Sequence, residues 1–330
     1  MKNFIKSALM KILIVFILPV AVYTFFALLR PDAFLKIELP LILLNQCISG
    51  IVLAWGMMFV MMIGNMDFSV VAERILGVML AISLVQKLGI IGLILGLLLN
   101  AFFLGFLKAF LLAIINIKDR VISIAYTIIL GSLGYLITSG DTVLIDIDSL
   151  GILSTVGFRM VLFVVLGIIM YVLHTYSLFG AQCKALSGNE AIALSSGINK
   201  NKVEGIATIV CSLYIAASGL LTLSRGGGET PQSGLASFSF VFVAISGVFI
   251  ALALSKHVSM PIGIIIGNYT MNLIIYGLIA LNLPSQLTTT VNGGFLLLLL
   301  IVMELKSKND AEKERKASVA KNISKSTAAA

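Results

Sequence analysis

Long runs of apolar residues, separated by short polar intervals, occupy most of the chain. A helix that crosses a bilayer needs about 20 mostly apolar residues. Runs of that kind predict an all-α polytopic membrane protein with about ten transmembrane helices, some of them broken by glycine, proline or polar residues. The predicted spans are Leu9 to Leu29, Leu39 to Ile63, Phe68 to Val85, Ile90 to Ile115, Val121 to Thr138, Phe158 to Tyr176, Val203 to Leu223, Ala236 to Leu254, Pro261 to Leu281 and Thr288 to Met303.

Composition supports this class. Of the 330 residues, 59% are hydrophobic and only 12% are charged, whereas charged residues make up about a quarter of a soluble domain. The net charge of +8 does not predict nucleic-acid binding, because basic loops beside membrane spans more often set topology. We expect one transmembrane domain over residues 1–305 and a basic, disordered cytoplasmic tail over 306–330.

The basic residues are distributed unevenly under a ten-span count, which places both termini on the same side. By the positive-inside rule, the more basic side is cytoplasmic. The termini and the polar interval Gln182 to Val203 are therefore expected in the cytoplasm. The basic residues of that side are Lys2, Lys6, Lys11, Lys118, Arg120, Lys184, Lys200, Lys202, Lys256 and those of the tail, against Arg30, Lys36, Lys87, Arg159 and Arg225 opposite.

The interval Gln182 to Val203 has the signals of one short helix. Ser187 or Asn189 can cap the first free amides, Glu190 suits the positive N-terminal end, and Gly197 can take the left-handed C-terminal position. A helix of two turns is not stable by itself in water. Its order must come from docking against another surface.

Two motifs carry a resemblance to a known family. The string GNEAIALSSGIN begins at Gly188 and is followed, after an apolar helix, by LTLSRGGGETPQSG. The upstream string GNMDFSV runs from Gly64 to Val70. In order and spacing these resemble the sugar-type ABC permeases, the inner-membrane subunits of binding-protein-dependent importers for ribose, galactose, xylose and related compounds. The hydropathy profile extends the likeness from about Lys11 to Glu304.

The resemblance implies a permease subunit for a sugar or sugar-like nutrient in a bacterial cytoplasmic membrane. Its partners would be separate ATPase subunits that bind ATP and Mg, a second permease subunit of the same or a different chain, an extracytoplasmic substrate-binding protein, and membrane lipid. The family's pattern GxNxxAAxxxGI forms a cytoplasmic coupling helix that rests in a groove of the ATPase. The coupling residues that the resemblance implies are Gly188, Asn189, Glu190, Ala191, Ala193, Gly197 and Ile198.

The chain lacks the motifs of an enzyme. No GxxxxGK[ST] phosphate loop is present, so ATP hydrolysis is expected on another chain. No paired histidine, cysteine or carboxylate spacing predicts a catalytic residue, a metal ligand or a cofactor in this chain. The glycines from Gly226 to Gly228 are more typical of a turn than of an anion-binding nest.

Asp67 lies between the second and third spans, flanked by Asn65 and Ser69. A carboxylate there can cap the helix that starts near Phe68. Alternatively, as the resemblance implies, these three residues shape the translocation path or its gate.

Three further charges lie in or near apolar spans. Glu73 and Arg74 are close enough to a span end to snorkel towards water, whereas Lys108 is deeper and needs a partner. Lys108 is the one candidate for the relay of a secondary transporter or channel driven by an ion gradient, which is the alternative function.

Two departures from the family concern the channel-forming elements. Apolar residues, with Lys256 and His257, replace a glycine-rich segment within Ile245 to Gly263, and Val71, Ala72 and Glu73 replace glycines after the upstream motif. These changes predict a divergent branch or one half of a heterodimer. Polar residues of the last spans either line a sugar path or serve as packing contacts. They are Asn268, Thr270, Asn272, Asn292, Gly293 and Gly294.

Overall fold

The structure is a computed structural model that describes residues 2–115, 119–146, 148–284, 287–302 and 304–305. These residues form long helices with one minimal two-stranded antiparallel sheet. The proposed tail, 306–330, lies outside the described residues. The elements are α1 (Lys2–Leu29), α2 (Pro31–Phe34), α3 (Leu39–Met62), α4 (Val70–Ile115), α5 (Asp119–Thr138), β1 (Val143–Leu144), a 3₁₀ helix (Asp148–Ser154), α6 (Val156–Tyr176), α7 (Leu178–Gly188), α8 (Glu190–Ser195), α9 (Lys200–Gly226), β2 (Gly228–Glu229), α10 (Phe238–Leu254), α11 (Met260–Ala280) and α12 (Leu287–Val302).

Six helical stretches are long and apolar enough to cross a membrane, and three shorter apolar helices accompany them. This confirms an all-α polytopic fold. The count of about ten spans and the side of the termini stay predictions. The six stretches are Leu39–Met62, Val70–Leu112, Arg120–Thr138, Val156–Tyr176, Lys200–Gly226 and Met260–Ala280, and the shorter ones are Leu13–Leu29, Phe238–Leu254 and Leu287–Val302.

Helix α3 lies at the centre of the bundle, where it packs against α6, α9, α10 and α11. Its Trp55 side chain is almost fully buried, donates from Nε1 to the Pro261 carbonyl oxygen at 2.9 Å, and stacks on Phe163 with ring centroids 5.1 Å apart. One large side chain therefore joins three helices, and the hydrogen bond satisfies its only donor.

Helices α3 and α9 run antiparallel and in close contact. A Cβ atom at Gly56 would lie 2.9 Å from the Tyr214 Cβ, so glycine is what allows the backbones to approach this closely. Ser218 Oγ donates to the Ser49 carbonyl oxygen at 2.8 Å, further along the pair. The bundle thus has two ends, which we call the α8 end, where α9 begins, and the hairpin end, where β1 pairs with β2.

Helix α4 is a hairpin of two arms, residues 70–88 and 90–115. Gly89 has φ 60° and ψ −149°, outside the helical region. A Cβ at Gly96 would collide with Ala81, and one at Gly77 would collide with Asn100. The two arms are therefore antiparallel and tightly packed, so Val70–Leu112 folds back on itself, as the separate third and fourth predicted spans require.

The hairpin end is closed by the short strands. Val143 pairs with Glu229, and Leu144 pairs with Gly228. Gly227 ends α9 in the left-handed conformation (φ 66°), and its amide donates to the Leu223 carbonyl oxygen at 2.9 Å. The triple glycine is thus a helix C-cap that leads into a strand, which agrees with the turn interpretation.

Candidate functional site

Two helices, not one, occupy most of the polar interval 182–203. Helix α7 follows α6 almost directly, because Ser177 accepts a hydrogen bond from the Gly180 amide at 2.9 Å and starts a new helix there. Asn189 then ends α7 and begins α8: its backbone is extended and its Oδ1 accepts from the Ile192 amide at 3.1 Å. Of the two predicted caps, Asn189 is the one that caps the short helix.

The C-terminal end of α8 closes with paired backbone hydrogen bonds. Gly197 has φ +84°, its amide donates to the Leu194 carbonyl oxygen at 3.0 Å, and the Ile198 amide donates to the Ala193 carbonyl oxygen at 3.2 Å. This is a Schellman motif, which a left-handed residue such as glycine makes possible. Ala193 is buried and Ile198 packs against the same core cluster, so the predicted left-handed role of Gly197 is confirmed.

The outer face of α8 is apolar and exposed. Ile192 is 63% exposed and Leu194 is 46% exposed, while only Ala193 of this helix is buried. Gly188, Asn189, Glu190, Ala191 and Gly197 are all exposed, Ile198 is half-buried, and Ala193 faces the chain's own core. Six of the seven implied coupling residues thus lie on or beside an open surface.

A line of charged and polar side chains joins α8 to the segment between α3 and α4. Lys200 Nζ lies 2.6 Å from Glu190 Oε1 and 3.8 Å from Glu204 Oε1. Glu204 Oε1 in turn accepts a hydrogen bond from Asn65 Nδ2 at 3.1 Å. Sequence analysis missed the role of Glu204, although a carboxylate one turn from Lys200 on α9 was a visible signal.

Asp67, Ser69 and Lys108 form a buried polar cluster at the start of α4, each at most 2% exposed. Asp67 Oδ1 accepts from the Ser69 amide at 2.9 Å and from Ser69 Oγ at 2.7 Å. Lys108, on the second arm of α4, forms an ion pair with Asp67 and donates to Ser69 Oγ at 3.0 Å. Ser69 is the residue before the helix, and both its amide and its hydroxyl donate hydrogen bonds to Asp67. Asp67 therefore fixes the start of α4 near Val70.

The structure contradicts the expectation that Glu73 and Arg74, in the first turns of α4, snorkel towards water. Glu73 is fully buried, and its carboxylate oxygens accept no well-directed hydrogen bond from the described residues. Arg74 points towards the hairpin end, where Nη1 donates to Thr222 Oγ1 at 2.7 Å and lies 3.1 Å from Glu229 Oε2. Both side chains turn inwards because this part of α4 begins inside the bundle and not at its surface.

The polar residues of the last spans bond mostly within their own helix. Asn268 Nδ2 donates to the Ile264 carbonyl oxygen, Asn272 Nδ2 to that of Asn268, and Thr270 Oγ1 to that of Ile266, at 2.7–3.2 Å. Asn268 and Thr270 are fully buried. Asn268 Oδ1 and Asn292 Oδ1 are buried and accept no hydrogen bond from the described residues, so the sugar path and the interhelical packing contacts both stay predictions.

The described residues contain no group of three or more His, Cys, Asp or Glu side chains that could hold a metal ion. The three cysteines are buried and form no disulfide with one another. Burial raises the pKa of the Cys183 thiol, in α7, to about 12, so it stays protonated.

Two sugar permeases are similar in sequence to much of this chain. The chain is 24% identical over 286 residues to the L-arabinose ABC transporter permease protein AraH of Azospirillum brasilense, covering 82% of this chain and 81% of that one. It is 26% identical over 235 residues to the ribose import permease protein RbsC of Haemophilus influenzae, covering 68% and 71%.

A third relative is the xylose transport system permease protein XylH of Haemophilus influenzae, 28% identical over 142 residues, which are 43% of this chain and 37% of that one. No protein-family model and no solved structure matches the chain. The curated relatives confirm the resemblance that the two motifs indicate: the chain is a homologue of sugar ABC importer permeases.

Proposed function

We propose that this chain is the membrane-spanning permease subunit of an ABC importer for a sugar or sugar-like nutrient, coupled to separate ATPase subunits through α8. Homology to permeases named for arabinose, ribose and xylose supports the transport function. The observation that carries the coupling role is the geometry of α8, which presents Ile192 and Leu194 to the outside although both are apolar.

The exposed face of α8 suits a protein partner. An apolar pair beside small residues allows a groove to approach the helix backbone closely, and the ordered caps hold the helix in one orientation before a partner arrives. In the proposed mechanism, ATP binding closes two ATPase subunits, two permease subunits enclose the path, and a binding protein delivers substrate at the hairpin end. The α8 end is then cytoplasmic.

Coupling requires that α8 bind the two ATPase states with different affinity, because equal affinity shifts no equilibrium. The segment at Asn65 and the cluster at Asp67 and Ser69 are the proposed gate. They receive motion from α8 through Lys200 and Glu204, which connect the short helix to this segment.

The test is affinity purification of the tagged chain from native membranes in mild detergent. We expect the wild type to bring an ATPase with a phosphate-loop motif. Leu194→Glu, which places a charge on the exposed face, should lose that ATPase and ATP-dependent uptake. Lys184→Glu on α7, which also places a carboxylate at an exposed position, serves as the control. Retention of the ATPase by Leu194→Glu would refute the docking role of α8.

The buried cluster keeps a second candidate open, a transporter driven by an ion gradient. Such transporters place ionisable residues inside the membrane, and Asp67, Glu73 and Lys108 are fully or almost fully buried. Uptake in vesicles that depends on a proton or sodium gradient and continues without ATP would favour this function. Uptake that follows ATP and not the gradient would exclude it.

A further inference from the structure

A polar cavity of about 320 Å³ lies at the hairpin end, between the first arm of α4, the end of α9 and the segment that follows it. This volume is at the lower end of the range for small-molecule sites, about 300–1,000 Å³. Most of the side chains in its wall carry hydrogen-bonding groups. These are Arg74, Thr142, Thr222, Glu229, Thr230 and Gln232.

An ion pair fixes one wall of the cavity. Arg74 and Glu229 face each other through the two terminal guanidinium nitrogens and both carboxylate oxygens, with Nη1 3.1 Å from Oε2 and Nη2 3.3 Å from Oε1. Their side chains are only 14% and 13% exposed. Thr222 Oγ1 accepts a third contact from Arg74 at 2.7 Å. The Nη2 contact is a hydrogen bond and the Nη1 contact is an ion pair, so the Arg74 side chain is held between Glu229 and Thr222.

This wall has hydrogen-bonding capacity left over. Glu229 Oε2 accepts no well-directed hydrogen bond from the described residues. The hydroxyl groups of Thr142 and Thr230 lie 3.0 Å apart, so each can bond a further partner. Gln232 adds an amide that can both donate and accept.

We propose that this cavity binds one neutral, polyhydroxylated molecule of monosaccharide size on its way into the bundle. The charge of Arg74 is balanced by Glu229, so the wall offers donors and acceptors without the excess positive charge that an anion would need. Phe240 also lines the cavity and provides an apolar face for the C–H groups of a sugar ring. The inference rests on the proposed function and names the class of substrate and its contact residues.

A larger, apolar cavity does not suit such a ligand. It measures about 590 Å³ and lies between α1 and α11. Its wall is almost entirely apolar, with Tyr23, His257 and Tyr269 as the side chains that carry polar atoms. Burying the hydroxyl groups of a sugar there without partners would be costly. The polar cavity at the hairpin end is thus the better match to a polyol.

The test uses the full chain in membrane vesicles from cells that also carry its ATPase and binding protein. Gln232→Cys places a thiol in the cavity wall, and Leu235→Cys, three residues on and 47% exposed, is the matched control outside it. The three native cysteines are buried, so a charged, membrane-impermeant thiol reagent should label the new thiol selectively. Radiolabelled D-ribose, L-arabinose and D-xylose are the probes.

We expect the reagent to lower uptake by Gln232→Cys at least about tenfold, equal to about 1.4 kcal/mol, and to leave Leu235→Cys and the wild type unchanged. A high concentration of the transported sugar should slow labelling at position 232 only. Unlabelled Glu229→Gln should also lose uptake while it still purifies with the ATPase, which separates loss of the site from loss of assembly.

The experiment distinguishes a failure of the cavity site from a failure of the proposed permease function. Full uptake after complete labelling at position 232 would overturn this site and leave the permease function intact. No ATP-dependent uptake of any of the three sugars by the wild type would overturn both the sugar class and the site. Equal loss in Gln232→Cys and Leu235→Cys would show a general effect on this segment and would also refute the site.

Discussion

The order of α8 depends on one backbone conformation, and that dependence can be measured at Gly197. Its φ of +84° lies in the left-handed region, and a Cβ added there would meet no atom within 4 Å. Gly197→Ala therefore introduces backbone strain without a steric clash. Gly188 is the internal control, because its Cβ would also enter open space but its φ is not left-handed.

The size of the expected destabilisation follows from the backbone conformation of Gly197 alone. A residue with a Cβ pays about 1–2 kcal/mol in the left-handed region, which corresponds to a factor of about 5–30 in a local opening equilibrium. Gly197→Asn should show a smaller effect, since asparagine tolerates this conformation better than alanine. Gly188→Ala should show none or a slight stabilisation, because alanine favours helix over glycine by up to about 1 kcal/mol.

Hydrogen exchange of the peptide that spans α8 and its C-cap is the assay. The amides of Ser196, Gly197 and Ile198 donate to carbonyl oxygens of the helix, so their protection reports whether it is formed. We expect exchange to rise about 5–30-fold in Gly197→Ala, less in Gly197→Asn, and not in Gly188→Ala. Equal protection in Gly197→Ala and the wild type would refute the reasoning, as would deprotection by Gly188→Ala.

Three further expectations follow from the same contacts. Lys108→Met leaves Asp67 buried without its counterion, which should cost about 3–5 kcal/mol of stability and lower the melting temperature. The double variant with Asp67→Asn should recover much of that stability. If the double variant recovers none, the pairing of the two residues is contradicted. Burial raises the pKa of the Glu229 carboxyl above its ordinary 4.5, and Arg74 opposes part of that rise. The stability that Glu229 contributes is therefore present below pH 4.5 and is lost as the pH rises through the folded pKa. Melting curves of Glu229→Gln should lack this loss, and a pH profile identical to that of the wild type would count against the reasoning. Asn189→Ala removes the N-cap of α8 and should cost about 1 kcal/mol of helix stability. The measurement is faster hydrogen exchange of the Ile192 amide. An unchanged exchange rate would show that the cap is unimportant.

Features that depend on neighbours along the chain could be predicted from the sequence. The caps of α8 at Asn189 and Gly197 are local, because each acts on residues at most a few positions away. The apolar runs likewise predicted the long helices. Helix α7 was missed because its polar composition resembles a loop, and the signal that starts it is the single hydroxyl of Ser177.

Pairs that are distant along the chain could not be predicted. Arg74 and Glu229 are 155 residues apart, and Asn65 and Glu204 are 139 apart. Hydropathy shows that such charges need partners but does not show which ones. The placement of Arg74 near a span end suggested snorkelling, since the sequence does not reveal that α4 begins inside the bundle.

The start of α4 connects the two ends of the bundle, and the strengths of its contacts indicate how it moves. The pair of Glu190 and Lys200 is partly exposed, so separating it costs about 0–1 kcal/mol. The pair of Asp67 and Lys108 is buried, and separating it costs several kcal/mol. We infer that displacement of α8 shifts the segment at residues 63–69 and both arms of α4 together, because the buried pair holds them as one unit. Arg74 follows Asp67 by seven residues, on the first arm of α4, so the cavity wall moves with it.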